Sequence, residues 1–107
     1  MKRYQSITSS NTTTPTAWLP VDNNIAVFNI GLRTGVTGTI NYDIEGTMDD
    51  IYDSTVTPLA FQIPVAALVG ATASQIAALT VPVRAIRIQQ NSGTGSVVLK
   101  ALQQGLI

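Results

Sequence analysis

The amino-acid sequence predicts an all-β fold: a single-domain antiparallel β-sandwich, immunoglobulin-like or jelly-roll-like, with an extended N-terminal arm. Its 107 residues suffice for one hydrophobic core. About six or seven short stretches have the residue pattern of strands, and Gly, Pro, Asn and Asp residues separate them, which is typical of sandwiches and small barrels. Neither heptads nor repeats of solenoid length occur, so coiled coils and repeat folds are excluded.

Residues 1–16 form the predicted arm, and residues 17–107 form the predicted sandwich. The arm is polar and rich in Thr and Ser, so it has little to bury by itself. Either a partner orders such a segment on binding, or the segment stays frayed. Tyr4 and Ile7 are the residues that would hold it down or add a short strand.

The next segment combines the only Trp with an apolar stretch. Trp18 is expected to be a core or interface anchor because of its large area, and sugar stacking is the less favoured alternative. Residues 25–33 carry apolar side chains on both faces, which predicts a strand covered on both sides. Thr34 and Gly35 are then expected to turn the chain.

Residues 36–45 have the clearest strand pattern. Ile40, Tyr42 and Ile44 alternate with polar residues, so one face is predicted to enter the core and the other to face solvent. With the preceding strand, this segment is expected to form a hairpin.

The following loop, residues 46–57, is acidic. Asp49, Asp50 and Asp53 carry the oxygen ligands that Ca²⁺ prefers, but their spacing does not fit the EF-hand loop. A solvated turn, with Asp capping a short helical turn, is the favoured interpretation.

Two segments before the last strands are less regular. Leu59, Phe61 and Ile63 occupy alternate positions beside prolines, which predicts a short strand whose prolines mark a sheet edge or a strand end. Residues 65–80 permit either a short helix capped by Ser74 or an irregular connection across the sandwich.

Residues 81–102 predict two strands joined by a turn at residues 91–95, and the rest of the domain is expected to be organised around them. Glycine in the turn supplies the positive φ that a tight hairpin usually requires. The residues expected to share the buried faces of this hairpin are Ile86, Ile88, Val97 and Leu99.

Charge is scarce in this chain. Charged residues make up 11% of it, against about 25% in average soluble domains, so we expect neighbours to cover much of the surface. The alternative is an isolated domain with a surface of Thr, Ser, Asn and Gln. The six basic and six acidic residues are dispersed, which argues against a nucleic-acid partner.

No signal peptide is expected, and the most apolar window, residues 65–81, is too short and polar to span a membrane.

Few residues suited to catalysis are present. The chain lacks His and Cys, which removes the commonest general base, a common metal ligand and the thiol nucleophile. Asp43 and Glu45 share one strand face, and nothing in their spacing singles out a glycosidase pair. Residues 93–95 lack the Lys-Ser/Thr and the helix of a phosphate loop. We therefore predict no enzyme activity, no cofactor and no metal site.

Several short stretches follow one another along residues 17–104. They are Trp18-Leu19-Pro20-Val21-Asp22, Val27-Phe28-Asn29-Ile30-Gly31-Leu32, Val36-Thr37-Gly38-Thr39-Ile40-Asn41-Tyr42, Thr47-Met48-Asp49-Asp50, Pro82-Val83-Arg84-Ala85-Ile86-Arg87, Gly93-Thr94-Gly95-Ser96-Val97 and Leu102-Gln103. Together they resemble a family of small β-rich virion structural proteins of tailed bacteriophages. The order of the motifs carries the resemblance, because each one alone is ordinary strand and turn chemistry. The alanine-rich residues 65–80 depart from it.

The resemblance implies a non-enzymatic virion protein, a capsid decoration or cement protein that stabilises the head by protein–protein contacts. Its expected partners are the major capsid protein or other virion proteins, with no nucleic acid and no membrane. We expect a homo-oligomer, a trimer or dimer, on the capsid surface after assembly in the host cytoplasm. A tail-fibre or baseplate module that recognises a receptor or glycan is the alternative, and it needs an exposed aromatic platform. The residues predicted at interfaces are Lys2, Arg3, Tyr4, Ile7, Trp18, Arg84 and Arg87.

Overall fold

The computed structural model describes residues 4–10, 15–21 and 29–104. These residues form two four-stranded antiparallel sheets around one core, so the predicted β-sandwich is confirmed. A 3₁₀ turn at Ala66–Leu68 is the only helical element in those ranges. The strands are β1 (Tyr4–Ser9), β2 (Leu19–Pro20), β3 (Asn29–Thr37), β4 (Ile40–Thr47), β5 (Phe61–Gln62), β6 (Ile76–Leu79), β7 (Ala85–Gly93) and β8 (Ser96–Gln104).

The order of the strands defines a jelly roll. Sheet A has the order β1-β8-β3-β6, and sheet B has the order β2-β7-β4-β5. Along the chain, only β4 and β5 follow one another within the same sheet, and every other connection leads to the opposite sheet. Two interleaved four-stranded sheets of this kind are the jelly-roll arrangement, one of the two sandwich types that the sequence predicts.

The core lies between the inward faces of the two sheets. Leu32 and Leu99 of sheet A share one apolar cluster with Ile44 and Ile88 of sheet B, and all four are fully buried. Burying a side chain of this size stabilises the fold by about 1.5–3 kcal/mol. The inward residues predicted for the clearest strands are all buried: Ile40, Tyr42, Ile44, Ile86, Ile88, Val97 and Leu99.

The two predicted hairpins are wrong, although the strands within them are present. β7 pairs with β2 and β4, whereas β8 pairs with β1 and β3. β3 and β4 also belong to different sheets. Each tight connection therefore carries the chain across the core. The two strands joined by each connection therefore pack on opposite sides of the core, one in each sheet. The two strands of a hairpin would lie side by side in the same sheet.

The two connections stack against each other at what we call the crossing end, residues 37–40 and 93–96. Their backbones are in contact, since the Gly95 N–H donates to the Thr39 carbonyl at 2.9 Å. Gly93 has φ of +97°, a conformation that side chains other than hydrogen strain to adopt. A Cβ on Gly93 would also lie 2.7 Å from a backbone atom of β4. The stacking of the two connections therefore depends on glycine.

The turn predicted at Thr34 and Gly35 is also wrong. Both residues lie inside β3, where Gly35 pairs with Val98, and neither has a positive φ. The chain turns instead at Gly38, whose φ is +81°. Of the strand predicted over residues 25–33, β3 includes residues 29–33, and residues 25–28 lie outside the described ranges.

Part of the segment predicted as an arm forms an edge strand of sheet A. β1 pairs with β8 along all of its 6 residues, and Ile7 packs against the core. The short strand anticipated around Tyr4 and Ile7 is therefore present. Lys2 and Arg3 lie outside the described residues.

Residues 65–80 form neither the short helix capped by Ser74 nor a connection that is irregular along its whole length. Their last part is β6, which pairs with β3 at the second edge of sheet A. Ser74 caps no helix; its hydroxyl accepts the Val36 N–H at 2.9 Å. The short edge strand predicted at residues 59–63 is reduced to β5, with 2 residues, on the edge of sheet B.

Tyr42 connects the two sheets through a buried hydroxyl group. That hydroxyl lies 2.5 Å from the Thr34 hydroxyl on β3 and donates to the Ala73 carbonyl at 2.9 Å. The backbone of Tyr42 pairs with Ala71 in both directions. Burial raises the pKa of the Tyr42 phenol, and the hydrogen bond with Thr34 partly opposes that shift.

We expect Tyr42→Phe to lower the free energy of unfolding at neutral pH by about 1–3 kcal/mol, because the buried Thr34 hydroxyl and the Ala73 carbonyl each lose a partner. The wild-type protein should also lose stability above about pH 10, since the phenol ionises in the unfolded chain before it does so in the folded one. The variant lacks this contribution. Urea titrations at neutral pH and at about pH 10.5 measure both effects. Equal alkaline losses in the two proteins would contradict the assignment.

Candidate interaction surfaces

Exposed apolar side chains fall into two groups in the described part of the chain. The first group lies in two loops, residues 48–60 and 80–84, opposite the crossing end; we call this the loop end. The second group flanks the outer face of sheet A. Single exposed apolar residues are normal, but grouped ones mark contact surfaces. The members are Met48, Tyr52, Val56, Leu59 and Val81 at the loop end, and Ile76 and Leu102 on sheet A.

Arg84 stands at a small cleft in the loop end. The cleft has a volume of about 150 Å³ and is lined by Met48, Pro82, Val83 and Arg84. The Arg84 N–H donates to the last carbonyl of β4 at 2.8 Å, so its backbone is held by the sheet. Its side chain is exposed and has no ion-pair partner among the described residues. Arg84 therefore offers a free cation beside apolar side chains.

The acidic loop is held by its own carboxylates. Each of three Asp side chains accepts a backbone N–H within the loop, so capping by Asp is present, but the short helical turn that was predicted there is not. The Thr55 hydroxyl also donates to Asp53 at 2.7 Å, and the two hydrogen bonds from Thr55 lower the pKa of the Asp53 carboxyl. Within the described ranges, no three acidic side chains group in a way that would hold a metal ion. The pairs are Asp49 with Leu59 at 2.7 Å, Asp50 with Tyr52 at 2.9 Å and Asp53 with Thr55 at 2.9 Å.

Trp18, Arg87 and Glu45 form a cluster on the outer face of sheet B. The Arg87 Nε donates to Glu45 Oε1 at 2.8 Å, and its guanidinium carbon lies 4.3 Å from the centroid of the Trp18 ring. Glu45 and Arg87 are directly opposite on β4 and β7. Two of the residues predicted at interfaces are thus brought together. Glu45 was predicted only as a solvated side chain, because its partner depends on a strand pairing that the hairpin interpretation missed.

The other predicted interface residues are dispersed. Arg84 lies at the loop end, whereas Ile7 packs against the core and Tyr4 begins β1. The remaining two, Lys2 and Arg3, are not among the described residues.

The two carboxylates considered for glycoside hydrolysis have separate structural roles. Asp43 was predicted to face solvent, but it is only 8% exposed. Its Oδ1 accepts the Gly70 N–H at 2.5 Å, and its Oδ2 accepts the Gln62 amide at 3.3 Å. Glu45 forms a salt bridge with Arg87. Asp43 is buried because the segment after β5 covers it.

A groove that the sequence pattern does not predict runs along the outer face of sheet A. Its first section has a volume of about 390 Å³ and is lined by Gly31, Leu32, Arg33, Ile76, Lys100 and Leu102. Its second section, of about 300 Å³, continues past Arg33 and Lys100 to Gly35, Val36, Thr37, Ser74 and Val98. We call both sections together the sheet A groove. The pairings of β3 with β8 and with β6 bring these residues together.

Comparisons with known proteins assign no family. No protein-family model, no curated protein and no solved structure matches the chain. Among the described residues, no helix has the length and apolar character needed to cross a membrane.

Proposed function

We propose that the chain is a structural protein of a bacteriophage virion, of the kind that decorates or cements the capsid. The observation that carries the proposal is the concentration of exposed apolar side chains at the loop end of a chain with 11% charged residues. A surface with few charges and one apolar end is suited to burial by neighbours. Jelly rolls occur in viral capsid proteins, and the ordered motifs resemble virion proteins.

The loop end and the Trp18–Arg87–Glu45 cluster are the surfaces proposed to contact the major capsid protein or another virion protein. Arg84 contributes a cation that has no ion-pair partner in the described part of the chain, and Trp18 contributes apolar area. The protein acts as a homo-oligomer on the capsid surface after assembly in the host cytoplasm. Many modest contacts, repeated by symmetry, hold such a subunit without one strong site.

Particles purified from the phage that encodes the chain provide the test. Antibodies against the purified protein should label intact heads, and electron cryomicroscopy should reveal a two-sheet density at symmetric positions on the shell. Absence of the chain from purified particles would overturn the proposal. Density confined to the tail would favour the alternative described below.

Arg84→Glu is expected to lower the occupancy of the protein on the particle about tenfold or more, because a cation at the contact becomes an anion. The midpoint of urea unfolding should stay unchanged, since the backbone bonds of Arg84 do not involve its side chain. Ser92→Glu with Thr94→Glu is the matched control, because it shifts the net charge equally at exposed positions near the crossing end. Equal losses in both variants would show a general charge effect instead of a contact.

The alternative function is a tail-fibre or baseplate module for a receptor or glycan. One observation favours it: the Tyr52 side chain is 79% exposed, in a fold that also occurs in lectins. The Trp18 ring is less suited to stacking, because Arg87 lies over it. Glycan-array binding that disappears in Tyr52→Ala would support this alternative over the capsid role.

A further inference from the structure

We infer that the sheet A groove binds the acidic loop, residues 48–59, of a second copy of this chain. The inference concerns the protein in solution before it binds the particle, because the acidic loop belongs to the loop end and cannot contact the shell and a second copy at once. It goes beyond the proposed role on the particle. Three features of the groove and two features of the loop support it.

Glycine occupies two positions in the floor of the groove, and the fold itself does not require glycine at either one. Gly31 and Gly35 lie on β3 and have no positive φ. A Cβ on Gly35 would meet nothing within 4 Å, and a Cβ on Gly31 would be in ordinary contact with the Leu102 carbonyl at 3.6 Å. Glycine within a strand costs stability and marks places where another backbone approaches closely. The two glycines leave room for such an approach.

The middle of the groove carries two uncompensated positive charges. Arg33 and Lys100 are directly opposite on β3 and β8, and both are exposed. Like charges in this position repel each other. Neither has an ion-pair partner among the described residues. A negatively charged occupant would remove this repulsion.

The borders of the groove are apolar. Ile76 is 79% exposed and Leu102 is 55% exposed, one on β6 and the other on β8. An occupant that complements the groove must therefore present both carboxylates and apolar side chains along a single segment.

The acidic loop meets that requirement. Among the described carboxylates, Glu45 is paired with Arg87 and Asp43 is buried, so the acids without a cation lie in this loop. They are Asp49, Asp50 and Asp53, and the same segment carries Tyr52 and Leu59, which are 79% and 76% exposed.

The groove and the loop belong to different surfaces of one molecule, since no residue of the loop lines the groove. A contact between them therefore joins two copies head to tail. A two-fold rotation makes the contact reciprocal and closes a dimer, whereas a smaller rotation between successive copies closes a ring. Both assemblies use one groove and one loop from every copy.

Sedimentation equilibrium of the purified chain at low ionic strength tests the contact. The wild-type protein should associate, and added salt should weaken the association. Arg33→Gln with Lys100→Gln should raise the dissociation constant about tenfold or more. The control Ser92→Glu with Thr94→Glu gives the same change in net charge and should leave the constant unchanged. Equal effects of the two pairs, or a wild-type monomer at millimolar concentration, would overturn the inference.

Filling the groove separates binding from folding. Gly35→Val should abolish association while the urea midpoint stays equal or rises, because the added side chain meets open space. Association that survives this change would place the contact elsewhere.

Reversing the charges on both sides gives the sharpest test. Arg33→Glu with Lys100→Glu, and Asp50→Lys with Asp53→Lys, should each give a monomer, and an equal mixture of the two variants should associate again. Asp50→Asn with Asp53→Asn keeps the side-chain oxygens that cap the loop and should still weaken association. A mixture that stays monomeric would overturn the inference. The protein could then still be found on particles, so the two proposals fail separately.

Discussion

Gly93→Ala is expected to lower the free energy of unfolding by about 3–5 kcal/mol or to prevent folding altogether. The residue has φ of +97°, and its new Cβ would lie 2.7 Å from the Cα of Ile40 and closer still to the Thr39 carbonyl oxygen. All of these are backbone atoms, which cannot move aside as a flexible side chain does. The change therefore separates the two connections that stack at the crossing end.

Two other glycines provide matched controls for Gly93. Gly70 has φ of +62° and open space around it, so Gly70→Ala should cost only about 1–2 kcal/mol. Gly35 has neither a positive φ nor a close neighbour, so Gly35→Ala should leave stability unchanged or raise it by up to about 1 kcal/mol. Urea unfolding followed by circular dichroism measures all three variants. A loss at Gly93 no greater than that at Gly70 would show that the close approach is unimportant.

Gln90→Glu should have the second largest effect, about 3–5 kcal/mol at neutral pH. The Gln90 side chain is 1% exposed. Its amide nitrogen donates to the Gly93 and Gly95 carbonyls at 3.3 and 3.2 Å, and its oxygen accepts the Ser9 hydroxyl at 3.2 Å. This one side chain joins β7, the crossing end and β1. A carboxylate in its place would be buried against two carbonyl oxygens.

The loss caused by Gln90→Glu should depend on pH in a defined direction. Burial and the facing carbonyl oxygens raise the pKa of the introduced carboxyl above the value of about 4.3 that it has in the unfolded chain. Relative to wild type, the deficit should therefore be small below about pH 4 and grow as pH rises toward the folded pKa. Gln90→Met removes the same hydrogen bonds without adding charge, so its deficit should not vary with pH. Equal deficits for Gln90→Glu in acid and at neutral pH would contradict the buried position.

The inward and outward positions of the strands could be predicted because alternation is a local property. Ile40, Ile44 and Ile88 follow the period of two, and each is buried. Pairing partners are not local. A hairpin and a crossing bury the same side chains, so the pattern alone did not show that consecutive strands enter different sheets. Gly35 and Gly38 also look alike in sequence, although only Gly38 has a positive φ.

The candidate surfaces were predictable to the same degree. Trp18 and Arg87 were recognised from their residue types, and they do lie together. The role of Glu45 depends on the register between β4 and β7, which the sequence pattern does not specify. The opposition of Arg33 and Lys100 depends in the same way on the register between β3 and β8. Surfaces formed by residues that are distant in sequence and meet only through strand pairing could therefore not be predicted.

The position of β8 between β1 and β3 has a consequence for biosynthesis. A chain that leaves the ribosome in order must hold β1 without its partner until β8 has emerged. Sheet A consequently cannot be completed until the last strand is available. Folding dominated by such distant pairings takes milliseconds to seconds. During that interval the nascent polypeptide presents unpaired strand edges, which are the usual substrate of chaperones and the usual start of aggregation. Co-expressed chaperones or a lower growth temperature should therefore raise the soluble yield of this protein.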